Sequence, residues 1–471
     1  MVNVRPGCSI QLVVMFLSMS MAVFSFGCAN HNDRSRAYLV PFSDGQWTDA
    51  FDAAHSAAKN GPERSLIIDH LELGTVALAA GMFAESDRSF DVAWDAMQEI
   101  GGPEQDRFFD GLAGVVVNDR AVPYVGTFYD RVMCSGYQAL DAIARGDLET
   151  ARVLCRRAQR SQSNAEKYFE KKISEARSEI ESENRDLGRI ESSSEFREGY
   201  ENAYGDLESR FSPYKGWTNP FVDWLTAILL FAVDESGSDR GEAEDLLRRV
   251  RGTIGPNPMV ESDLQLVSEI GRPQELAWII IESGLAPKRV EESFRIPAFI
   301  PEMPFIGLAL PRLVDVPGGG DSFQVTAGEH TVSSSVVCEM GSVISHEFQE
   351  ELPLITARAI ISTVAKAAAT LAANLVAQNS GDGWVQLATL IGTNVYGYAT
   401  TIADLRTWRT LPRRIMIARI PIPSDRILRI TGSCGEYTVN VPDGSLVLIH
   451  LRSVMQESPA AIFQATLRGT P

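Results

Sequence analysis

Residues 137–158, "YQALDAIARGDLETARVLCRRA", hold the pattern that decides the fold of the N-terminal half of the chain. After the turn glycine Gly146, small and apolar residues recur at helical spacing: Leu148, Ala151, Cys155 and Ala158. Residues 71–94, "LELGTVALAAGMFAESDRSFDVAW", repeat the same offsets: Gly81, Phe83, Ser86, Phe90 and Ala93. Small residues where two antiparallel helices touch, and large ones that pack on the next pair, are typical of helix-pair repeats. The two stretches therefore predict two stacked helical hairpins.

A third, weaker unit lies at residues 220–250, where Ala243, Leu247 and Val250 match but the turn is longer. The spacing of the three units resembles that of a tetratricopeptide repeat. Generic helical hairpins are the alternative, because they also place glycine at the turn and alanine at helix crossings. We predict a tetratricopeptide-like helical domain over residues 46–256. Dense charge around a narrow apolar stripe also predicts a long charged helix near residues 160–200.

The composition changes beyond the helical domain. Residues 277–281 form a short strand-like apolar run, and segments with prolines at short intervals follow it. An Ala-rich stretch at 352–378 opens a predicted buried helix pair over 352–408, and two basic residues inside it disfavour a membrane span. The last section reads as three or four strands separated by turns, which predicts a small antiparallel β-sandwich. The chain is thus predicted to be α+β, with a mixed helix and antiparallel β domain over 257–465.

The N-terminus has the pattern of a secretory signal, with one positive charge at Arg5 and an apolar run over 11–27. The run ends at Cys28, as in a bacterial lipobox, where the cysteine receives a lipid. An ordinary signal peptide that is cut elsewhere is the alternative. We predict a lipoprotein signal over 1–27, lipid attachment at Cys28 and a polar tether over 28–45. The protein would be exported and anchored to the outer membrane, facing the periplasm.

The bulk composition excludes some classes of partner. The 471 residues are 45% apolar and 22% charged, which is typical of a globular chain. A formal net charge of −18 argues against a nucleic-acid partner, since phosphate binding needs clustered lysine and arginine. The sequence contains no cofactor-binding motif, so no cofactor is predicted.

The chain has six cysteines, of which one leaves with the predicted signal. Four cysteines remain once Cys28 is assigned to the lipid. Because an even number of cysteines in an exported chain indicates disulfides, we expect disulfides here. We favour the pairings Cys134–Cys155 and Cys338–Cys434 because each falls within one predicted domain. Free buried thiols, which pack as small hydrophobic groups, are the alternative.

The stretch "SHEFQEE" at 345–351 is the nearest approach to a catalytic motif. His346 and Glu347 begin like the zinc-protease motif H-E-x-x-H, but position 350 is Glu, so the second imidazole is missing. No catalytic or metal-binding residue is therefore predicted. The candidates for protein binding are three aromatic residues of the helical array: Tyr124, Phe128 and Tyr129. Core positions are the alternative for these three.

Five segments, in order, resemble markers of a family of uncharacterised exported bacterial lipoproteins with a tetratricopeptide-like helical region: "GDLETARVLCRRA" (146–158), "NPFVDWL" (219–225), "ESGLAPKR" (282–289), "ADLRTWRTLP" (403–412) and "VPDGSLVLIHLRSV" (441–454). The resemblance implies a helical region, then an α/β portion, anchored in the cell envelope. Members tend to lie beside genes for lipoproteins that activate penicillin-binding proteins, which implies a role in envelope assembly. The family implies no catalytic residues.

Three functions follow from these observations. We favour a lipid-anchored periplasmic scaffold whose concave helix-pair surface binds a protein partner in the cell envelope, linked to peptidoglycan synthesis. A cell-wall-acting hydrolase would instead need two close carboxylates in a cleft. A self-assembling structural component of the envelope would form a homo-oligomer through the Ala-rich helix.

Overall fold

The computed structural model describes residues 31–100, 123–183, 187–234, 236–269, 275–300, 303–379 and 403–469. The predicted signal over 1–27 and the predicted lipid attachment site Cys28 lie outside the described residues. Helices fill the N-terminal part of the chain and strands fill most of the C-terminal part. The predicted α+β class is therefore confirmed.

Four helix pairs, each joined by a short connection, stack in chain order. They are α1 (His31–Ser43) with α2 (Trp47–Asn60), α3 (Leu66–Ala79) with α4 (Phe83–Ile100), α5 (Phe128–Ala144) with α6 (Leu148–Glu183), and α10 (Pro220–Val233) with α11 (Arg240–Ile254). Each pair contacts the next through α2 and α3, α4 and α5, and α6 and α10, and α12 (Pro258–Ser268) packs on α11. The last three pairs coincide with the three helical units predicted from the sequence.

Residues 31–43, predicted to belong to a polar tether, form helix α1 instead. Tyr38, Leu39 and Phe42 are buried in a core that they share with α2 and α3. His31 is buried as well, and its Nε2 lies 3.1 Å from the carbonyl oxygen of Thr407. The tether prediction is wrong for this segment because its apolar side chains lie on one helical face and bury together.

The turns and caps of the pairs follow from local chemistry. Gly81 and Gly146, at matching positions of two pairs, have positive φ angles of 73° and 78°. Glycine adopts this region without the steric cost that a Cβ brings. Asn219 caps α10, since its Oδ1 accepts hydrogen bonds from the N–H groups of Phe221 (3.1 Å) and Val222 (3.3 Å).

The charged helix predicted near 160–200 is the extended second helix of a pair, α6. Three short helices follow it: α7 (Leu187–Glu191), α8 (Ser194–Tyr204) and α9 (Leu207–Phe211). Helices α7 and α8 contact a long hairpin of β2 (Lys288–Ile300) and β3 (Met303–Val314). Tyr204 donates a hydrogen bond of 2.8 Å to the carbonyl oxygen of Pro311, which fixes α8 against this hairpin.

The remaining strands form two sheets that face each other. They are β1 (Leu276–Ser283), β4 (Gln324–Ala327), β5 (His330–Ser333), β6 (Ser335–Glu339), β7 (Arg414–Pro421), β8 (Ile427–Gly432), β9 (Gly435–Asn440), β10 (Leu446–Ser453) and β11 (Ala461–Arg468). The five-stranded sheet has the order β11-β10-β1-β7-β6, with β1 and β10 parallel, and the four-stranded sheet has the order β5-β4-β8-β9. Ile279 and Val447 of the first sheet share a core with Val325 and Ile430 of the second.

The other face of the five-stranded sheet packs against helices of the pairs. Trp278 and Leu448 on this face share one core with Phe90, Tyr137 and Trp224 of α4, α5 and α10. Helix α5 contacts β11, and α10 contacts both β11 and β6. The faces of α5 and α10 that β6 and β11 contact are therefore covered by the C-terminal part of the same chain.

Helix α13 (Met340–Asn379) contains the Ala-rich stretch 352–378 and begins well before it. The segment 380–402, which would hold most of the second helix of the predicted pair, lies outside the described residues. Among the helices that the structure describes, none is long and apolar enough to cross a membrane.

Candidate functional site

A pocket lies where the N-terminus of α5, the segment before α10 and the first turns of α13 meet. Its lining includes Phe128, Tyr129, Trp217, His346 and Glu347. Its volume is about 20 Å³. A cavity needs roughly 10–15 Å³ to hold one water molecule, so the pocket accommodates one small polar group.

Glu347 joins α13 to the start of α5. Its Oε1 accepts a hydrogen bond from the N–H of Phe128 (2.7 Å), and its Oε2 accepts one from the N–H of Tyr129 (3.0 Å). These N–H groups have no acceptor within the helix, and the positive end of the helix dipole favours a carboxylate. Burial raises the pKa of Glu347 well above its usual range, and the nearby charge of Glu351 raises it further.

Aromatic rings form the outer walls of the pocket. The ring centroids of Phe128 and Trp217 are 5.6 Å apart, and those of Trp217 and His346 are 5.0 Å apart, both pairs edge to face. The Nε2 of His346 has no hydrogen-bond partner among the described residues. Burial lowers the pKa of His346, so the imidazole is neutral at neutral pH and offers one donor and one acceptor.

A buried polar cluster holds the start of α5 beside the pocket. Tyr124 donates a hydrogen bond to Asp130, and the Oδ2 of Asp130 also accepts one from the N–H of Thr127 (2.8 Å). Thr127 in turn accepts from the N–H of Asp130, which completes a capping box. One turn further along α13, Glu351 lies 3.5 Å from Arg289. These contacts fix the two N–H groups that hold the pocket carboxylate.

The three aromatic residues predicted to bind protein occupy different environments. Tyr124 is 6% exposed and does not line the pocket, so its prediction as an exposed binding residue is wrong, whereas Tyr129 is 4% exposed but lines the pocket. They pack in the core that positions α5, because their rings are large apolar surfaces beside the first turn of that helix. Phe128 is half-buried and lines the pocket beside Trp217. Sequence reasoning missed Trp217, since no local pattern links it to residues far away in the chain.

The cysteines predicted to pair are all free, buried thiols: Cys134, Cys155, Cys338 and Cys434. Cys338 and Cys434 lie in the two cores on opposite faces of the five-stranded sheet, so their predicted pairing is wrong. The predicted bond between Cys134 and Cys155 is also absent, and the Sγ of Cys134 lies 3.5 Å from the carbonyl oxygen of Phe90. Burial raises the pKa of Cys155 to about 12, which keeps this thiol protonated and unreactive.

His346 and Glu347 share the pocket without forming the metal site whose motif they begin. The part of the chain that the structure describes contains no group of three or more His, Cys, Asp or Glu side chains placed to hold a metal ion. The pocket instead combines a buried carboxyl group, a neutral imidazole and two aromatic rings. Such a set of groups is suited to binding a small ligand or a single side chain.

Comparison of the chain with protein-family models, with curated proteins and with solved structures finds no match in any of the three.

Proposed function

We propose that this protein is a lipid-anchored scaffold of the periplasm that binds a protein partner in the cell envelope, in a process linked to peptidoglycan synthesis. The pocket at the start of α5 is the observation that carries the proposal. There, the half-buried rings of Phe128 and Trp217 lie beside the unpartnered Nε2 of His346. The partner would bind at this pocket, because β6 and β11 already cover the faces of α5 and α10 that they contact.

The N-terminal sequence supports lipid anchoring, and α1 determines where the anchor would lie. Cys28 precedes the buried His31 by only three residues. Asn32 donates a hydrogen bond of 2.9 Å to the carbonyl oxygen of Arg289 and accepts one of 2.6 Å from Arg409. A lipid on Cys28 would therefore hold the folded body close to the membrane surface. Cys28→Ala should abolish palmitate incorporation, and labelling that persists would contradict lipid anchoring.

Capture of envelope proteins on the wild-type protein and on two variants tests the partner site. Trp217→Ala removes one aromatic wall of the pocket. Val153→Ala is the matched control, at a position on α6 that is 63% exposed and outside the pocket. We expect cell-wall synthases or their activators to be recovered with wild type and control and lost with Trp217→Ala. Equal recovery with all three proteins would contradict binding at the pocket.

A cell-wall-acting hydrolase is the second candidate, and one observation favours it. Glu347 and Glu351 lie one helical turn apart, and the pKa of each is raised, mainly by burial. A general acid needs such a raised pKa. Both side chains, however, already have protein partners in the N–H groups of α5 and in Arg289. Release of fragments from purified peptidoglycan by wild type, and its loss in Glu351→Gln, would favour the hydrolase over the scaffold.

A further inference from the structure

We propose that the pocket binds a primary alkylammonium group, presented as the side chain of a lysine on the partner protein. This rests on the proposed function, since it requires that the partner binds at the pocket. Phe128, Trp217, His346 and Glu347 would be the residues that recognise the lysine.

The size of the pocket selects a compact head group. A volume of about 20 Å³ accommodates a group of the size of one water molecule. An ammonium group is compact and fits this space, whereas the guanidinium of arginine is a wider, planar group with three nitrogens. A lysine is therefore favoured over an arginine.

The charges around the pocket favour a cation. Four carboxyl groups lie in the lining or act electrostatically on lining residues: Asp130, Glu347, Glu350 and Glu351. The guanidinium groups of Arg289 and Arg358 both act on Glu351, and Arg289 lies 3.5 Å from it. Acidic groups thus outnumber basic ones, and an entering ammonium group would favour the ionised form of Glu347, whose pKa burial raises in the empty pocket.

The lining also supplies acceptors for the ammonium group and walls for its stem. Each oxygen of the Glu347 carboxylate accepts one N–H and keeps a second lone pair free for another donor. The Nε2 of His346 and the hydroxyl of Tyr129, a residue that is 4% exposed, have no hydrogen-bond partner among the described residues. Aromatic faces attract cations, and the rings of Phe128 and Trp217 would cover the methylene stem of a lysine.

Fluorine NMR on the full-length protein in detergent micelles, labelled with 5-fluorotryptophan, tests this directly. The Trp217 resonance is assigned by its loss in Trp217→Phe. We expect n-butylammonium and the methylamide of Nα-acetyl-lysine to shift this resonance in a saturable way. Neutral n-butanol, which has the same carbon chain, should not shift it. A shift of the same size with n-butanol, or no saturable shift with n-butylammonium, would overturn the proposal.

Two variants measure separately how much the carboxyl group and the aromatic wall of the pocket contribute to n-butylammonium binding. Glu347→Gln should weaken n-butylammonium binding by about tenfold, as expected for the loss of one charge-assisted contact. Because Glu347 also holds α5, a second variant is needed. Trp217→Leu should weaken binding by roughly three- to thirtyfold, the range of a cation–π contact. Trp94→Leu, at a half-buried tryptophan of α4 outside the pocket, is the matched control and should bind like wild type. Unchanged affinity in both pocket variants would overturn the proposal.

Acetylation of lysines on the envelope proteins before capture distinguishes a partner lysine from a free alkylamine. Loss of capture after acetylation is expected. Capture that survives acetylation, while n-butylammonium still binds, would show that the pocket takes a free amine and would overturn the lysine assignment. If n-butylammonium does not bind but Trp217→Ala still loses the partner, the alkylammonium proposal fails and the scaffold function stands. If capture does not depend on Trp217, the scaffold site itself is wrong.

Discussion

Asp263 of α12 offers the sharpest test of how the helix pairs are joined to the sheet. Its carboxylate is 1% exposed and accepts hydrogen bonds from the Nε1 of Trp224 on α10 (2.8 Å) and of Trp278 on β1 (3.1 Å). Arg419 of β7 lies 2.9 Å from the same carboxylate. One side chain thus connects a helix of the array to two strands of the five-stranded sheet. Asp263→Ala removes all three contacts at once.

The expected cost follows from what the substitution leaves behind. Both tryptophans are fully buried, so their indole N–H groups would lose their acceptor without gaining water. An unsatisfied buried donor costs about 1–3 kcal/mol, which gives about 2–6 kcal/mol for the pair. Arg419 keeps a hydrogen bond of 3.1 Å to the carbonyl oxygen of Ser262, so we assign it no further cost. The loss is large beside a total folding free energy of about 5–15 kcal/mol.

Urea unfolding of wild type and variant, followed by far-UV circular dichroism, measures this loss without relying on tryptophan fluorescence. Glu244→Ala is the control, because Glu244 forms an ion pair with Arg248 on the exposed side of α11. Exposed pairs of this kind contribute about 0.3–0.5 kcal/mol. If Asp263→Ala lowers the free energy of unfolding by less than about 1 kcal/mol, and the dependence of that free energy on urea concentration is unchanged, Asp263 does not join the helices to the sheet.

Four further predictions concern the helix pairs. Ser86 Oγ lies 2.8 Å from the carbonyl oxygen of Gly74 and 2.7 Å from Asp141 Oδ2, and since a hydroxyl has one proton, a protonated Asp141 satisfies both contacts. Burial raises the pKa of Asp141 in the folded state, so its stabilising effect is present below its unfolded-state pKa and is lost as pH rises through the folded-state value. The free energy of unfolding of Asp141→Asn, measured by urea titration, should therefore rise relative to that of wild type as pH rises from about 4 to 8. A difference between the two proteins that stays constant with pH would contradict this. Gly146→Ala should cost about 1 kcal/mol through its positive φ alone, because a Cβ there meets no atom within 4 Å. Gly74→Ala should cost more, about 1–3 kcal/mol or above, because its Cβ would lie 2.5 Å from a buried phenyl ring; equal losses in thermal unfolding would argue against the tight helix contact. Finally, Cys155 should resist a thiol reagent in the folded protein and react fully after denaturation without reductant. Recovery of the Cys155 peptide as a disulfide in mass spectrometry would contradict the free thiol.

The helix pairs could be predicted from the sequence because their signals are local. The glycine at the turn and the small residues after it recur within a stretch of some twenty residues, and Gly81 and Gly146 indeed sit at matching turns. The contact of the five-stranded sheet with α10 was not predicted, although the sequence of this helix, "PFVDWLTAILLFAV", indicates it. This helix is apolar on nearly every face, which indicates burial on all sides rather than a surface open to a partner.

The site could be predicted only in pieces. Phe128 and Tyr129 on one side, and His346 and Glu347 on the other, were noticed separately for different reasons. Their meeting depends on hydrogen bonds between residues more than two hundred positions apart, which no periodicity or motif spacing encodes. For the predicted tether, the shared helical face of Tyr38, Leu39 and Phe42 is a local signal, but the contact of His31 with Thr407 is not encoded locally.

Site-specific photo-crosslinking in living cells tests whether a partner binds at the pocket and not on the outer side of the helix pairs. A photoreactive amino acid is placed at Lys215, an exposed residue just before Trp217, and in a second strain at Val153 on the outer side of α6. We predict a crosslinked envelope protein from Lys215 that disappears when Trp217→Ala is added, and no crosslink from Val153. A crosslink from Val153 alone, or one from Lys215 that persists with Trp217→Ala, would show that the partner does not bind at the pocket.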